Sequence, residues 1–502
     1  MGRVLARHRP LVAIVAAGAL LRLAAMVAYT PALFFSDSWA YLRMAYDSAL
    51  VGMAVDRPSG YGVFIEAVSL PGRSLTAIVA VQHLLGLAVG VLAYALLLRL
   101  RAPLGAALAV AAIVVLDAFL IALEHHVLPS ALFALLLLAA AALTLTRPHA
   151  PAALAASGVL LAAAVTVRTS AIFALPVWGL FVLLRHRRPG GVALAAAAAL
   201  LPLLAYGAVQ HAVDGKFGLN QSSGWFLYGR VAEIADCTRM DVAPASRGLC
   251  EPADRPHRGA AFYVWDPRSP ASRTFGPIDG PRHAEADAAL RTFARSTIRA
   301  RPGAYARMVG ADLLRYFTPG ARSLGRSDSA ITLPTAPQDA EQIQRDQLAR
   351  LFPGTEQEVR APAGALHAYG KVVHLPRWLL GAAALLALAT AAAWLVPRAR
   401  PRVLGTGDGL LLCGMALAIV AGSAATSEFI IRYLVPVAPL LLCGGVLLAT
   451  ALVRNRAATA AEVSGEAGTR PRGPARFRRP PGGGRRSGTG SSRDRAPAPA
   501  GR

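Results

Sequence analysis

Residues 76–98 read TAIVAVQHLLGLAVGVLAYALLL, a run with no Lys, Arg, Asp or Glu. A helix of that length rises about 35 Å, enough to cross the roughly 30 Å hydrocarbon core of a bilayer. Nine further apolar runs flank it, at 11–29, 103–123, 131–146, 151–167, 171–184, 191–209, 376–396, 408–425 and 433–453. The expectation is an α-helical polytopic membrane protein with about ten transmembrane helices. Pro129, Pro148, Pro151, Pro176 and the Arg168-Thr169-Ser170 break make the runs between 131 and 184 the ones that can be re-entrant.

The chain has 502 residues, 55% hydrophobic and 16% charged, with a formal net charge of +24. A balance that basic suggests nucleic acid, but the apolar runs exclude a soluble protein, and the charge has another explanation. With the amino terminus inside, the short inner segments hold twelve Arg against one acid, Asp408, which is the positive-inside pattern. Both termini are then cytoplasmic and no nucleic-acid partner is expected. The first run carries Arg22 and outlasts the apolar stretch of a signal peptide, so it reads as a retained span. Residues 454–502, with twelve Arg and three acids among Pro, Gly and Ser, read as a disordered basic tail that can lie against anionic lipid headgroups.

This divides the chain into a membrane module at 1–209 with about seven spans, an extracytoplasmic α-rich domain at 210–372 between spans seven and eight, and a second membrane module at 373–453. In the outer domain, Leu290, Phe293, Ala294, Thr297 and Ile298 share one helical face. Tyr305, Met308, Val309, Asp312, Leu313, Tyr316 and Phe317 share another; that helix can lie on the membrane interface or pack on its own domain. A short helix is expected over Asp339–Leu351. Cys237 and Cys250 can form a disulfide in an oxidising compartment or remain free thiols, whereas Cys413 and Cys443 lie in spans.

Charged groups near a bilayer mark sites by default. The first outer loop, 30–75, holds Asp37 in Phe34-Phe35-Ser36-Asp37-Ser38-Trp39-Ala40-Tyr41 and then Asp56-Arg57-Pro58-Ser59-Gly60-Tyr61; Asp47 and Glu66 read as solvated. In a continuous third-span helix, Asp117, Glu124 and His125 share a stripe, and Arg22, Arg168 and Arg432 are partners for the buried acid. A structural ion pair is the alternative for each. Glu124-His125-His126 suggests a metal, but neighbouring helical residues diverge by about 100° and cannot all reach one ion. No cofactor is assigned, a divalent cation being left open. Carboxylates and arginines on one membrane face suit group transfer from a lipid phosphate: a carboxylate takes a hydroxyl proton while arginines bind the phosphate.

Several short motifs resemble the GT-C glycosyltransferases of the phospholipid-carrier-dependent type, which includes protein O-mannosyltransferases and lipid A aminoarabinose transferases. They are Leu21-Arg22, Asp37 with Tyr41, Arg57-Pro58-Ser59-Gly60-Tyr61, Glu124, and Arg432-Tyr433-Leu434-Val435-Pro436. Trp225-Phe226-Leu227-Tyr228-Gly229-Arg230, with Ala235-Asp236-Cys237 and Leu249-Cys250-Glu251 after it, is similar to the outer segment of actinobacterial members. The resemblance implies a GT-C-like fold and inverting transfer of a hexose or pentose from a polyprenyl-phosphate-linked donor to a cell-envelope glycan, lipid or protein at the outer face of the cell membrane. It gives Asp37 the role of base and Glu124 the second catalytic acidic position, with Arg432, and beside it Arg57 and Arg168, on the donor phosphate. Tyr41, Asp56, Tyr61, Asp117 and His125 are expected to orient substrate. Two features depart from the family pattern: Asp37 is followed by Ser38 rather than a second acid, and the turn is Pro58-Ser59-Gly60-Tyr61-Gly62. The alternatives are a transporter or lipid flippase, favoured by Arg22, and a scaffold whose outer domain binds a partner.

Overall fold

The computed structural model describes residues 2–46, 56–69, 72–186, 188–252, 254–321, 331–338, 342–403 and 405–463. Asp47, most of the tail and the start of the helix expected at Asp339 lie outside them. Contacts divide the chain into two units, Met1–Asn455 and Arg456–Arg502, and the site lies in the first.

The architecture is helical, and it is that of a polytopic membrane protein. Where hydropathy expects ten crossings, six helices among the described residues are long and apolar enough to make one: His8–Ala28, Leu75–Arg99, Pro189–Val213, Ala363–Leu395, Gly407–Thr426 and Ile431–Ala460. A seventh is a pair, Leu104–Leu116 and Ala118–His125, bent by 45°. The other three expected spans are the shorter apolar segments Ser130–Thr146, Pro151–Val167 and Thr169–Arg185. A helix of 17 residues rises only about 26 Å, less than the hydrocarbon thickness. Proline sets the start of two of these segments: Pro129 precedes Ser130, and Pro151 occupies the first helical turn, where its missing N–H is not needed. Large apolar side chains stand exposed on the spans, Leu20, Leu84, Leu201 and Leu385 among them, as lipid-facing positions require.

Local chemistry explains the other boundaries. Ser74 caps Leu75–Arg99 by accepting from Ala77 N. Asp117 does not continue the third-span helix; it is extended and caps the next one by accepting from Leu120 N at 2.7 Å. The expected stripe of Asp117, Glu124 and His125 therefore does not exist, because an Asp with free backbone donors nearby favours the cap over the helix interior. Gly215, at φ +74°, ends Pro189–Asp214 in the left-handed conformation that glycine adopts without strain. The last helix, Ala438–Val463, runs past the boundary expected at 453.

The region expected outside the membrane has two parts. Trp225, Tyr228, Tyr263, Phe275, Leu290 and Phe293 build a separate core. Its segment is closed by the Cys237–Cys250 disulfide, with Cα atoms 6.0 Å apart. The helix His283–Ala300 buries the face expected from its spacing, Leu290, Phe293, Ala294 and Thr297. The later part joins the main core instead, through Tyr316, Ile331, Leu351 and Leu366. The helix Pro302–Phe317 lies against the end of Gly407–Thr426: Tyr305 Oη donates to Ala425 O at 2.8 Å and Tyr316 packs on Phe429 at 4.8 Å.

One feature fixes the segment after the first span. Tyr29–Thr30 pairs antiparallel with Glu358–Val359, and Leu33 exchanges backbone hydrogen bonds with the end of the third span, Leu33 N to His125 O and Val127 N to Leu33 O, both 3.1 Å. The chain leaving the first span is thus held on both sides just before Asp37.

Candidate functional site

Asp37 lies in the first turn of the helix Ser36–Tyr46, whose start is set by Ser38 Oγ accepting from Phe35 N at 2.9 Å. Its two carboxylate oxygens face two guanidinium groups. Oδ1 is 3.3 Å from Arg57 Nη1, and Oδ2 pairs with Arg432 Nη1. Arg57 also pairs with Asp56 and its guanidinium lies 5.2 Å from the Tyr41 ring centre. Arg432 belongs to the short turn Ile431–Tyr433 that opens the last span, and its guanidinium lies over Phe35 at 4.5 Å. Arg168, in the break between Pro151–Val167 and Thr169–Phe173, donates to Arg432 O at 3.3 Å and stacks on Tyr433 at 4.8 Å. Aromatic faces thus hold all three cations, Tyr41 for Arg57, Phe35 for Arg432 and Tyr433 for Arg168.

These groups line a cleft of about 1290 Å³, together with residues of the outer region such as Phe226, Ala260 and Trp265. Three guanidinium groups lie around Asp37, and Arg168 among them pairs with no acid among the described residues. Over its whole lining the cleft carries six arginines against four carboxylates. The Nε of Arg432 is buried and has no acceptor among the described residues. Burial alone would raise the Asp37 carboxyl, but the charges of Arg432 and Arg57 outweigh it and hold it well below the usual carboxylate range. The cleft is therefore anion-seeking.

Of the residues expected from sequence, Asp37, Tyr41, Asp56, Arg57, Arg168 and Arg432 come together here. Tyr61 stands behind them, edge-on to Tyr41 at 4.8 Å, with its hydroxyl on Gln82. Asp117, Glu124 and His125 are not brought to the cleft. Glu124 is locked in the membrane module: Arg22 Nε and Nη2 donate to its two oxygens at 2.7 and 2.8 Å, and His83 Nδ1 lies 2.9 Å from Oε2. His83 Nε2 in turn meets His125 Nδ1 at 3.0 Å, and His125 Nε2 meets Tyr29 O at 2.7 Å. Arg22 is the partner foreseen for a buried acid, but of Glu124 rather than Asp117. The network leaves no room to spare, since a Cβ on Gly86 would lie 1.9 Å from Glu124 Oε1.

Three residues escape a reading by motif. Gln82 and His83 are polar groups inside an apolar run, which is itself a signal; Gln82 Nε2 donates to Glu124 O at 2.7 Å and to His126 O at 2.9 Å, tying the second span to the third. The third, Glu428, lines the cleft four residues before Arg432. Among the described residues, no three His, Cys, Asp or Glu are grouped so as to hold a metal ion.

No protein-family model matches this chain, and no curated protein sequence matches it. Among solved structures it is similar to an Archaeoglobus fulgidus oligosaccharyltransferase in the apo form, with a TM-score of 0.38 and 10% identity over 93% of this chain and 53% of that one. The chain spans about half the length of that protein. So distant a likeness carries no functional reading, which rests on the cleft.

Proposed function

We propose that the chain is an integral membrane glycosyltransferase of GT-C type that moves a sugar from a polyprenyl-phosphate donor to an acceptor hydroxyl at the outer face of the cell membrane. The observation that carries this is the charge of the cleft. Its lining carries six arginines against four carboxylates, Arg168 pairs with no acid, and the buried Nε of Arg432 has no acceptor among the described residues. A sugar linked to a polyprenyl monophosphate is a phosphodiester with a single negative charge, which this cationic excess attracts and which gives Arg432 Nε an acceptor.

In this reading Arg57, Arg168 and Arg432 hold the donor phosphate. Tyr41 and Asp56 fix Arg57, and Tyr61 supports Tyr41. The acceptor oxygen attacks the anomeric carbon from the face opposite the phosphate, the carbon–oxygen bond to phosphate breaks, and the electron pair leaves on the phosphate, where the guanidinium groups stabilise it. A single displacement inverts the anomeric configuration. Two cleft carboxylates are placed to take the hydroxyl proton, Asp37 and Glu428. Both termini are cytoplasmic, the cleft opens outside, and the acceptor is a cell-envelope glycan, lipid or protein.

The transporter or flippase alternative leans on Arg22, but Arg22 makes four hydrogen bonds, two to Glu124 and two to the carbonyls of Gly18 and Val115. That arrangement supports a structural ion pair. The test is purified protein in nanodiscs with a panel of polyprenyl-phosphate-linked hexoses and pentoses, reading donor binding and release of polyprenyl phosphate. Arg168→Ala should weaken donor binding by about ten- to a hundredfold, the worth of one charge-assisted hydrogen bond. A wild-type protein that binds none of the panel, or an Arg168→Ala variant that binds as well, would refute the proposal.

A further inference from the structure

We propose that Glu428, rather than Asp37, takes the acceptor's proton; this rests on the transfer reaction proposed above and names the base within it. The two carboxylates share one cleft but not one environment. Asp37 has a guanidinium on each oxygen, so a proton taken there is held against two cations. Glu428 is 8% exposed, accepts a single hydrogen bond, from Ala260 N to Oε2 at 2.9 Å, and has no cation within ion-pair distance among the described residues.

Position supports the same assignment. Glu428 lies in the connection between the spans Gly407–Thr426 and Ile431–Ala460, and Arg432 in the first turn of the second. Four residues of chain keep their backbones within about 14 Å, and both side chains line the same cleft. The loop sits where the outer region closes over the membrane module, since Ala260 belongs to the outer helix Ala260–Trp265. An acceptor entering from outside therefore meets Glu428 beside the phosphate site.

The groups facing Glu428 are Asp312 on the helix Pro302–Phe317, Arg230 on Ser223–Val231, and Glu233 just after it. Arg230 and Asp312 are paired with each other at 2.7 Å and largely cancel. Burial raises the Glu428 carboxyl above its ordinary value; the hydrogen bond from Ala260 opposes this in part, and Asp312 adds to it. A more basic carboxylate is the better general base, whereas the same arginines that make Asp37 a firm counter-ion make it a weak one. Asp37 then holds Arg57 and Arg432 open for the phosphate. In the step itself the acceptor O–H proton passes to a Glu428 oxygen, the new bond forms between acceptor oxygen and anomeric carbon, and the phosphate departs with its electrons.

The experiment uses the full chain in nanodiscs with the same donor panel. Glu428→Gln keeps an oxygen for Ala260 N, so monodisperse protein is expected. Transfer should fall by about 10²- to 10⁴-fold with donor affinity unchanged, and Glu428→Asp should recover part of it. The wild-type kcat/KM should rise with pH through the Glu428 titration, a limb that Glu428→Gln loses and Asp37→Asn retains, while Asp37→Asn binds donor more weakly. Wild-type transfer by Glu428→Gln, loss of donor affinity in parallel with rate, or loss of the acid limb only in Asp37→Asn would each overturn the assignment and leave the transferase reading standing. A wild-type protein that turns over no donor fails that reading itself.

Discussion

Replacing Arg22 by Met removes a cation that is 3% exposed from a carboxylate that is 4% exposed. Glu124 would keep only its contact with His83. Breaking a buried ion pair from one side costs about 3–5 kcal/mol, because the remaining charge stays desolvated. Arg22 also donates to Val115 O at 2.8 Å, a carbonyl in the last turn of Leu104–Leu116 with no helical partner beyond the break. Losing that bond adds about 1 kcal/mol, so the total is about 4–6 kcal/mol, a shift of roughly 10³- to 10⁴-fold in the unfolding equilibrium. Unfolding in mixed micelles with increasing denaturing detergent measures it. The double variant Arg22→Met with Glu124→Leu should recover most of the loss, since apolar groups of similar size replace a buried pair with little penalty. An Arg22→Met protein within about 1 kcal/mol of wild type, or a double variant no better than the single one, would refute the reasoning. The same series separates two roles for Glu124: if it only supports the fold, Glu124→Gln keeps transferring sugar below its unfolding point. Loss of transfer with the fold intact would restore the catalytic role implied by the family resemblance.

Two further outcomes are expected from the geometry. Gly86→Ala should destabilise by about 1–3 kcal/mol, because its Cβ would meet a carboxylate held by Arg22 at 1.9 Å; in a Glu124→Ala background the same change should be nearly neutral, as a double-variant unfolding cycle would show. Cys237→Ser with Cys250→Ser opens the loop closed by the disulfide, with sequence separation 13, and should cost the outer core about 3 kcal/mol, seen as faster proteolysis of the segment around Trp225 with the membrane helices intact.

Much of this arrangement is legible in the chain. Hydropathy and the Arg distribution locate the apolar segments and set the expected side of the membrane, since those patterns depend only on bilayer thickness and on charge. Asp37, Arg57, Arg168 and Arg432 are separable as site residues because charges beside apolar runs are rare. Their convergence is not legible: Arg432 follows Asp37 by 395 positions, and pairing across that distance is a property of how the helices pack. Periodicity also misleads at Asp117, where a cap interaction breaks the helix that hydropathy continues.

By itself, the sequence determined that this protein is built largely from apolar helices, and which few ionisable residues flank them. Only the tertiary structure decided which of them act together. It withdrew Glu124 into a buried pair with Arg22, set Arg57 and Arg432 on Asp37 with Arg168 stacked behind on Tyr433, and placed Glu428 in the same cleft with no ion-pair partner among the described residues. The physical reason is that a carboxylate's chemistry is set by its neighbours. Glu124 and Glu428 are the same residue type, and their difference lies in a guanidinium that one has at 2.7 Å and the other lacks.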